Sequence, residues 1–453
     1  MSLLNVGISR RECVRTLAAA TAGMSSSWWA PRIAAAGEGS GNRKRSCILL
    51  WMAGGPSTID LWDLKPGHAH GGPFREIMTQ APGLRWSEHL PRLAGLANDL
   101  AVVRSMRTRE GDHGRATVVL RTGYSPQPPI QFPLMGSLLA KELAPADSTH
   151  VPFVSIGSGF AAEEGAGGGF LGPLYAPLRI GASNPYETGT ESLRVADLEH
   201  PPGISDGTVE RRRSLLAEME ERFSDRVAAT RGRTSHPNAA VVEARQTAYE
   251  RAMGLMHSPV ARAFDLEQEP IALRRQYGDS AFGRSCLLAR RLVASGVSMV
   301  EVNLGRSIRT PNGWDTHQNN FDQVRNLSDM LDAGFAALLT DLKVRGMLET
   351  TTIVWMGEFG RTPRINSNTG RDHFPAAWSM VLAGGGIQGG QAYGATSADG
   401  SAVTRDPVSH ADFLATLCLA LGIDPQKQNL SNVGRPIRVV DGTARPIRSL
   451  VNA

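Results

Sequence analysis

Short apolar runs alternate along this chain with stretches whose apolar residues recur every three or four positions. Ser46 to Ala53 is nearly continuous in apolar residues and stops at Gly54-Gly55-Pro56, the pattern of a strand buried on both faces of a parallel sheet. Leu100 to Arg104, Val151 to Ile156, Val297 to Asn303, Thr351 to Met356 and Ser379 to Leu382 are comparable runs. Val324, Leu327, Leu331, Phe335, Leu338 and Leu342 place one apolar stripe on a helix predicted from about Asn319 to Val344, and Phe282, Cys286, Ala289 and Val293 do the same before Gly296. Strands alternating with helices predict an α/β fold, a large, mostly parallel central sheet with helices on both faces.

The segment 206–256 departs from this alternation. It is rich in Arg and Glu, carries Leu216, Met219, Phe223 and Val227 on one stripe, and is expected to be a helical insertion whose charges form a solvated face. Gly157 to Gly172 is expected to be a mobile loop, because it lacks the strand, Lys and Ser/Thr context of a phosphate-binding P-loop. There is no internal repeat, so residues 46–453 are expected to form a single domain.

Composition adds little until the charge is located. Hydrophobic residues make up 41% of the 453 and charged residues 20%, which excludes a disordered chain. The net charge of +5 is concentrated at the front: residues 1–36 take four of the 48 basic side chains and one of the 43 acidic ones, so the remainder carries +2. The body therefore offers no nucleic-acid signature. Arg10-Arg11, the Ala-rich stretch from Thr16 to Gly23 and the small residues Ala34 to Ala36 predict that residues 1–36 are a twin-arginine (Tat) signal peptide, followed by a linker over 37–45. The stretch from Arg15 to Arg32 is too short and too polar to span a membrane. Export through the Tat machinery would deliver the folded chain to the periplasm or the exterior, with no membrane span in the mature protein. Cys13 leaves with the signal, and Cys47, Cys286 and Cys418 are too scattered for a disulfide framework.

Candidate chemistry follows the strands, since open α/β sheets bind ligands beyond the carboxyl ends of their strands. The first strand leads into GGPSTIDLWDLKP with Asp60 and Asp63; the fourth leads into NGWDTHQNN with Asp315 and His317; the fifth runs into MGEFGRTP with Glu358 and Arg361; GRDHF with Asp372 and His373 follows. Each fragment alone also has a bland explanation. Asp-x-His is a common capped turn, Asp60 and Asp63 suit turn capping, Glu358 and Arg361 suit a structural ion pair, and His410-Ala-Asp412 suits a helix start. Together the acids would repel one another unless cations neutralised them. Carboxylate plus imidazole suits Zn, Mn or Fe, and two such ions clamp the oxygens of an ester under displacement. Arg361 is the candidate to hold a tetrahedral anion.

The ordered set GGPSTIDLWDLKP, EGDHGRATVVLRTGY, CLLARRLVASGVSMVEV, GWDTH, GEFGRTP and GRDH resembles the DUF1501 proteins, a sulfatase-like branch of the alkaline phosphatase superfamily. The resemblance implies that superfamily's α/β fold and one or two divalent ions, Zn, Mn, Ca or Mg. By position it implies metal ligands at Asp60, Asp315, His317, Glu358 and His373, with Asp63 and Asp372 as possible additions. Phe359 stands where a His ligand is usual. His113 stands where sulfatases carry their nucleophile, and it is open whether it ligates a metal, attacks as a nucleophile or merely ends a helix. The expected function is an exported metal-dependent hydrolase of sulfate or phosphate esters, acting on a small-molecule or polysaccharide substrate with His113 and Arg361 in catalytic roles. The alternative is a non-catalytic sulfatase-like protein that binds anionic or sulfated carbohydrate.

Overall fold

Eight strands form the central sheet of the computed structural model: β1 Ser46–Trp51, β2 Leu100–Met106, β3 Phe153–Ile156, β4 Leu178–Ile180, β5 Met299–Asn303, β6 Thr351–Met356, β7 Trp378–Gly384 and β8 Gln391–Tyr393. Their order across the sheet is β8-β2-β7-β6-β1-β5-β3-β4. The structure describes residues 44–145, 151–157, 167–181, 203–230, 249–256, 258–307 and 310–452, with the single positions Leu193, Val195, Leu198 and Thr247. The expected export signal, most of the linker and part of the glycine-rich loop lie outside the described residues.

The predicted strands all form, and the expected mostly parallel sheet is the one observed. Only β7 runs against its neighbours, pairing antiparallel with both β2 and β6. A parallel return usually runs through a crossover helix, whereas the stretch between β6 and β7 holds two two-residue strands, Gly360–Arg361 and His373–Phe374, and no helix. The edge strands β4 and β8, three residues each, are too short for periodicity to reveal them.

Alternate residues of β1 point to opposite faces, as a strand requires. Ile48 and Leu50 pack into one core with the helices Ala281–Ala294 and Asn320–Val344. Cys47, Leu49 and Trp51 face the other core, with His113–Thr122, Met135–Leu143 and His410–Ala420. We label these helices α1 (His113–Thr122), α2 (Met135–Leu143), α4 (Ala281–Ala294), α5 (Asn320–Val344) and α6 (His410–Ala420), with α3 the exposed, charged helix Asp206–Thr230 of the expected insertion.

Arginines of the recurrent motifs are consumed inside. Arg121 of α1 pairs with Glu301 of β5 and lies over the Trp51 ring; Arg290 of α4 pairs with Glu269 and Asp341 at 2.8 Å each. His410 opens α6 behind a Ser409–Asp412 capping box. Among the described residues no helix is long and apolar enough to cross a membrane.

Candidate metal centre

Register brings the loops together. Trp51, the last residue of β1, pairs with Asn303 and Met356, the last residues of β5 and β6, so three central strands discharge their loops at one rim. The β1 loop turns at Gly54, whose φ of +115° suits glycine alone, and a Cβ there would sit 2.5 Å from the Asp315 backbone nitrogen. The loop after β5 is thereby packed against the loop after β1. His373 is positioned by pairing with Arg361 in the small hairpin that follows β6. His113 is the first residue of α1, which Asp112 caps by accepting the Arg115 N–H at 3.0 Å.

Three imidazoles converge on one carboxylate oxygen. Asp315 Oδ1 lies 3.3 Å from His113 Nε2, 3.1 Å from His317 Nε2 and 3.3 Å from His373 Nε2, and the last two nitrogens are 3.0 Å apart. On the far side of each ring Nδ1 meets an acceptor: Glu358 Oε1 for His113 at 2.6 Å, Asp372 Oδ1 for His317 at 2.8 Å and the Gly111 carbonyl for His373 at 2.7 Å. Those partners assign the proton of each neutral ring to Nδ1. Each neutral ring then presents a lone pair at Nε2, toward an oxygen that is itself an acceptor. Such a constellation is repulsive unless a proton or a metal ion occupies it. Ligand atoms of His113, Asp315 and His373 all lie within 4.8 Å of one another, a spacing that can hold a metal ion.

Other candidates stand elsewhere. Asp60 is fully buried, and its oxygens accept from Arg371 Nε and Nη2 at 2.8 Å each, from Asn320 at 2.8 Å and from Ser57 at 2.6 Å. Four donors already take up both of its oxygens, and none of the three imidazoles is among them. Asp63 is bound to Lys65 at 3.0 Å and to Thr396, and it too belongs to a structural network. Asp372 touches the cluster only through His317. Arg361 has no exposed side-chain surface: it donates to the Gly54, Gly55 and Arg371 carbonyls and, at 2.5 Å, to Asp315 Oδ1. It pins the β1 loop and Asp315 and leaves no surface for a tetrahedral anion. Phe359 is buried and walls the site, its ring 4.9 Å from His113 and 4.7 Å from His373.

A family model described as "Protein of unknown function (DUF1501)" matches residues 44–451. The chain belongs to the DUF1501 family. Among curated proteins no sequence relative was found. Solved structures that resemble this DUF1501 protein include Ps i-CgsB, at 11% identity and a TM-score of 0.40 over 84% of this chain and 73% of that one. The PsFucS1 sulfatase from Pseudoalteromonas sp. scores 0.36 at 13% identity over 88% and 72%. The C-terminal periplasmic domain of EcEptC from Escherichia coli, in a complex with Zn, scores 0.37 at 10% identity over 90% and 89%. At these scores the likeness carries no argument about what this chain does, and its own side chains must.

The electrostatics of the DUF1501 site agree with a place for a cation. Burial alone would lower the His113 pKa, but hydrogen bonds to Asp315 and Glu358, together with their negative charge, push it up to about 9. Burial likewise opposes ionisation of Asp315, yet His113, His373 and Arg361 hold it well below the usual carboxylate range. With its pKa raised, His113 in the metal-free protein keeps a proton that joins the Arg361 guanidinium in balancing Asp315. The folded chain keeps that proton where the unfolded one, with an ordinary pKa of 6.5, has released it. The stability it contributes is complete below pH 6.5 and is lost as pH rises through about 9. Metal uptake must displace the same proton, so affinity rises across the same window. Thermal melts from pH 6.5 to 9 are therefore expected to fall for chelated protein, while the gain on adding Zn²⁺ grows. A chelated protein whose melting temperature is flat or rising there would contradict this account of His113.

Proposed function

We propose that this DUF1501 protein is an exported, metal-dependent hydrolase of sulfate or phosphate esters, acting on a small-molecule or polysaccharide substrate. The observation that carries the reading is the convergence of three imidazole Nε2 atoms on Asp315 Oδ1 at the carboxyl rim of the sheet. A nitrogen-rich donor set of this kind suits a borderline transition ion such as Zn, Mn or Fe better than Ca or Mg, which favour all-oxygen surroundings. When bound, such an ion supplies Lewis-acid polarisation of an ester oxygen.

The chain's own residues supply the rest. His113 has Nδ1 committed to Glu358 and Nε2 directed at Asp315, which supports a ligand role over a nucleophilic one. Phe359, fully buried, packs its ring against those of His113 and His373. His317, 44% exposed, and Asp372, 54% exposed, mark the open side on which a substrate would enter. The sequence resemblance to sulfatases supplies the ester class, and residues 1–36 supply the export route through the Tat machinery to the periplasm or beyond. The ordered motifs from residue 46 onward support one sulfatase-like domain.

A binding protein for anionic or sulfated carbohydrate is the second reading, favoured by His113 in place of a hydroxyl or thiol nucleophile. Aryl sulfates, phosphomonoesters and phosphodiesters assayed with added Zn²⁺ or Mn²⁺ separate the two. The hydrolase reading expects turnover that falls by at least about 100-fold in His317→Ala. Metal binding without turnover of any ester class would favour the binding protein.

A further inference from the structure

Resting on the metal-site reading above, we infer that Glu358 is a positioning residue, which orients His113 from behind and does not itself ligate the ion. The resemblance to the superfamily would make it a ligand, but its placement speaks otherwise. Glu358 lies two residues beyond the end of β6 and is fully buried. Its Oε1 is fixed by the Gly54 N–H at 2.9 Å and lies 2.6 Å from His113 Nδ1. That is the side of the ring away from Nε2, the atom that faces Asp315. The two ring nitrogens point in divergent directions, so a carboxylate seated against Nδ1 stands behind the imidazole as seen from the cluster.

The arrangement does three things to His113. It holds the Nδ1–H tautomer, so that the lone pair is delivered at Nε2. It fixes the plane of the ring, together with the Phe359 ring packed 4.9 Å away. It also raises the basicity of the forward nitrogen, as carboxylate–histidine pairs do in metal sites, where losing the outer partner typically costs 10–100-fold in metal affinity. Asp372 stands in the same relation to His317, but it is more than half exposed, where solvent screens the interaction. The Gly111 carbonyl performs the service for His373 without a charge. The three rings are thus held by acceptors of graded strength, the strongest behind His113.

The test is metal titration of the full-length protein and its variants, using Co²⁺ as the probe so that the visible spectrum reports the ligand set. Wild type is expected to bind one ion per chain. Glu358→Ala is expected to bind about 10–100-fold more weakly with a spectrum of the same shape and intensity. Glu358→Gln, which keeps an acceptor for the Nδ1–H, is expected to recover part of that loss, and Asp372→Asn to lose less than Glu358→Ala. His113→Ala, which removes a ligand, is expected to change the spectrum. If Glu358→Gln and Glu358→Ala alter the spectrum as His113→Ala does, Glu358 is a ligand and the inference is overturned; unchanged affinity in both variants overturns it equally. Should wild type itself bind no ion, the metal-site reading fails first, and with it the premise of this one. Glu358→Gln is close in shape to Glu and keeps the question answerable if Glu358→Ala does not fold.

Discussion

Asp315→Ala is expected to yield a chain that takes up no divalent ion and turns over no ester. Every imidazole of the cluster is arranged about Asp315 Oδ1, and Arg361 reaches the same atom at 2.5 Å. Removing the carboxylate deletes the one anionic donor that faces all three rings. It also withdraws the charge that balances Arg361, a guanidinium with no exposed surface. Breaking a buried pair from one side typically costs about 3–5 kcal/mol. The carbonyls of Gly54, Gly55 and Arg371 still hold Arg361, so the lower end of that range is expected. Elemental analysis after dialysis against Zn²⁺, with thermal melts alongside, checks both parts. A variant that retains an ion with wild-type affinity would show that the cation sits elsewhere.

Arg371→Met is expected to be the more damaging change for stability and the less damaging one for metal. Arg371 and Asp60 are both fully buried and meet through two 2.8 Å hydrogen bonds. Loss of the guanidinium strands a carboxylate in the core, again with a cost of about 3–5 kcal/mol. The double variant Asp60→Leu/Arg371→Met is expected to regain part of it, because an apolar pair leaves no uncompensated charge. Folded protein of either variant should still take up one ion per chain, since Asp60 does not face the imidazoles. Chemical denaturation and metal content measured on the same samples decide the matter. Loss of the ion with stability intact would return Asp60 to the ligand set.

How far the sequence foretold this depends on what kind of feature is asked about. The central strands are continuous apolar runs because both of their faces are covered, and such runs can be read without structure. The edge strands β4 and β8 have no such signal. The reversal of β7 is invisible in its own residues, and it is set by the lack of a helix in the connection before it. The loops after β1, β5 and β6 emerge at one rim because register dictates it, but the acids after β1, Asp60 and Asp63, turn into structural networks there. What could not be read was which carboxylate meets the imidazoles. Asp60 and Asp315 look alike in sequence and each meets a guanidinium, but Asp315 alone also faces three imidazoles. Arg371 stands beside Asp372 in GRDH, and nothing in that motif marks it as the partner of Asp60. The Gly111 carbonyl, which orients His373, is a backbone group and leaves no mark in the sequence at all.

The place of β1 in the sheet governs the order in which this protein can be made. Of the strands of this sheet it is the first to be made, yet its partners are Met299–Asn303 and Thr351–Met356. At roughly 5–20 residues per second, the intervening stretch of about 250 residues takes on the order of 10–50 s to synthesise. Throughout that interval an apolar strand waits without neighbours, a standing invitation to aggregation and to chaperone capture. No shortened chain ending before residue 351 can complete the centre of the sheet, and the imidazoles meet only once residue 373 has been made.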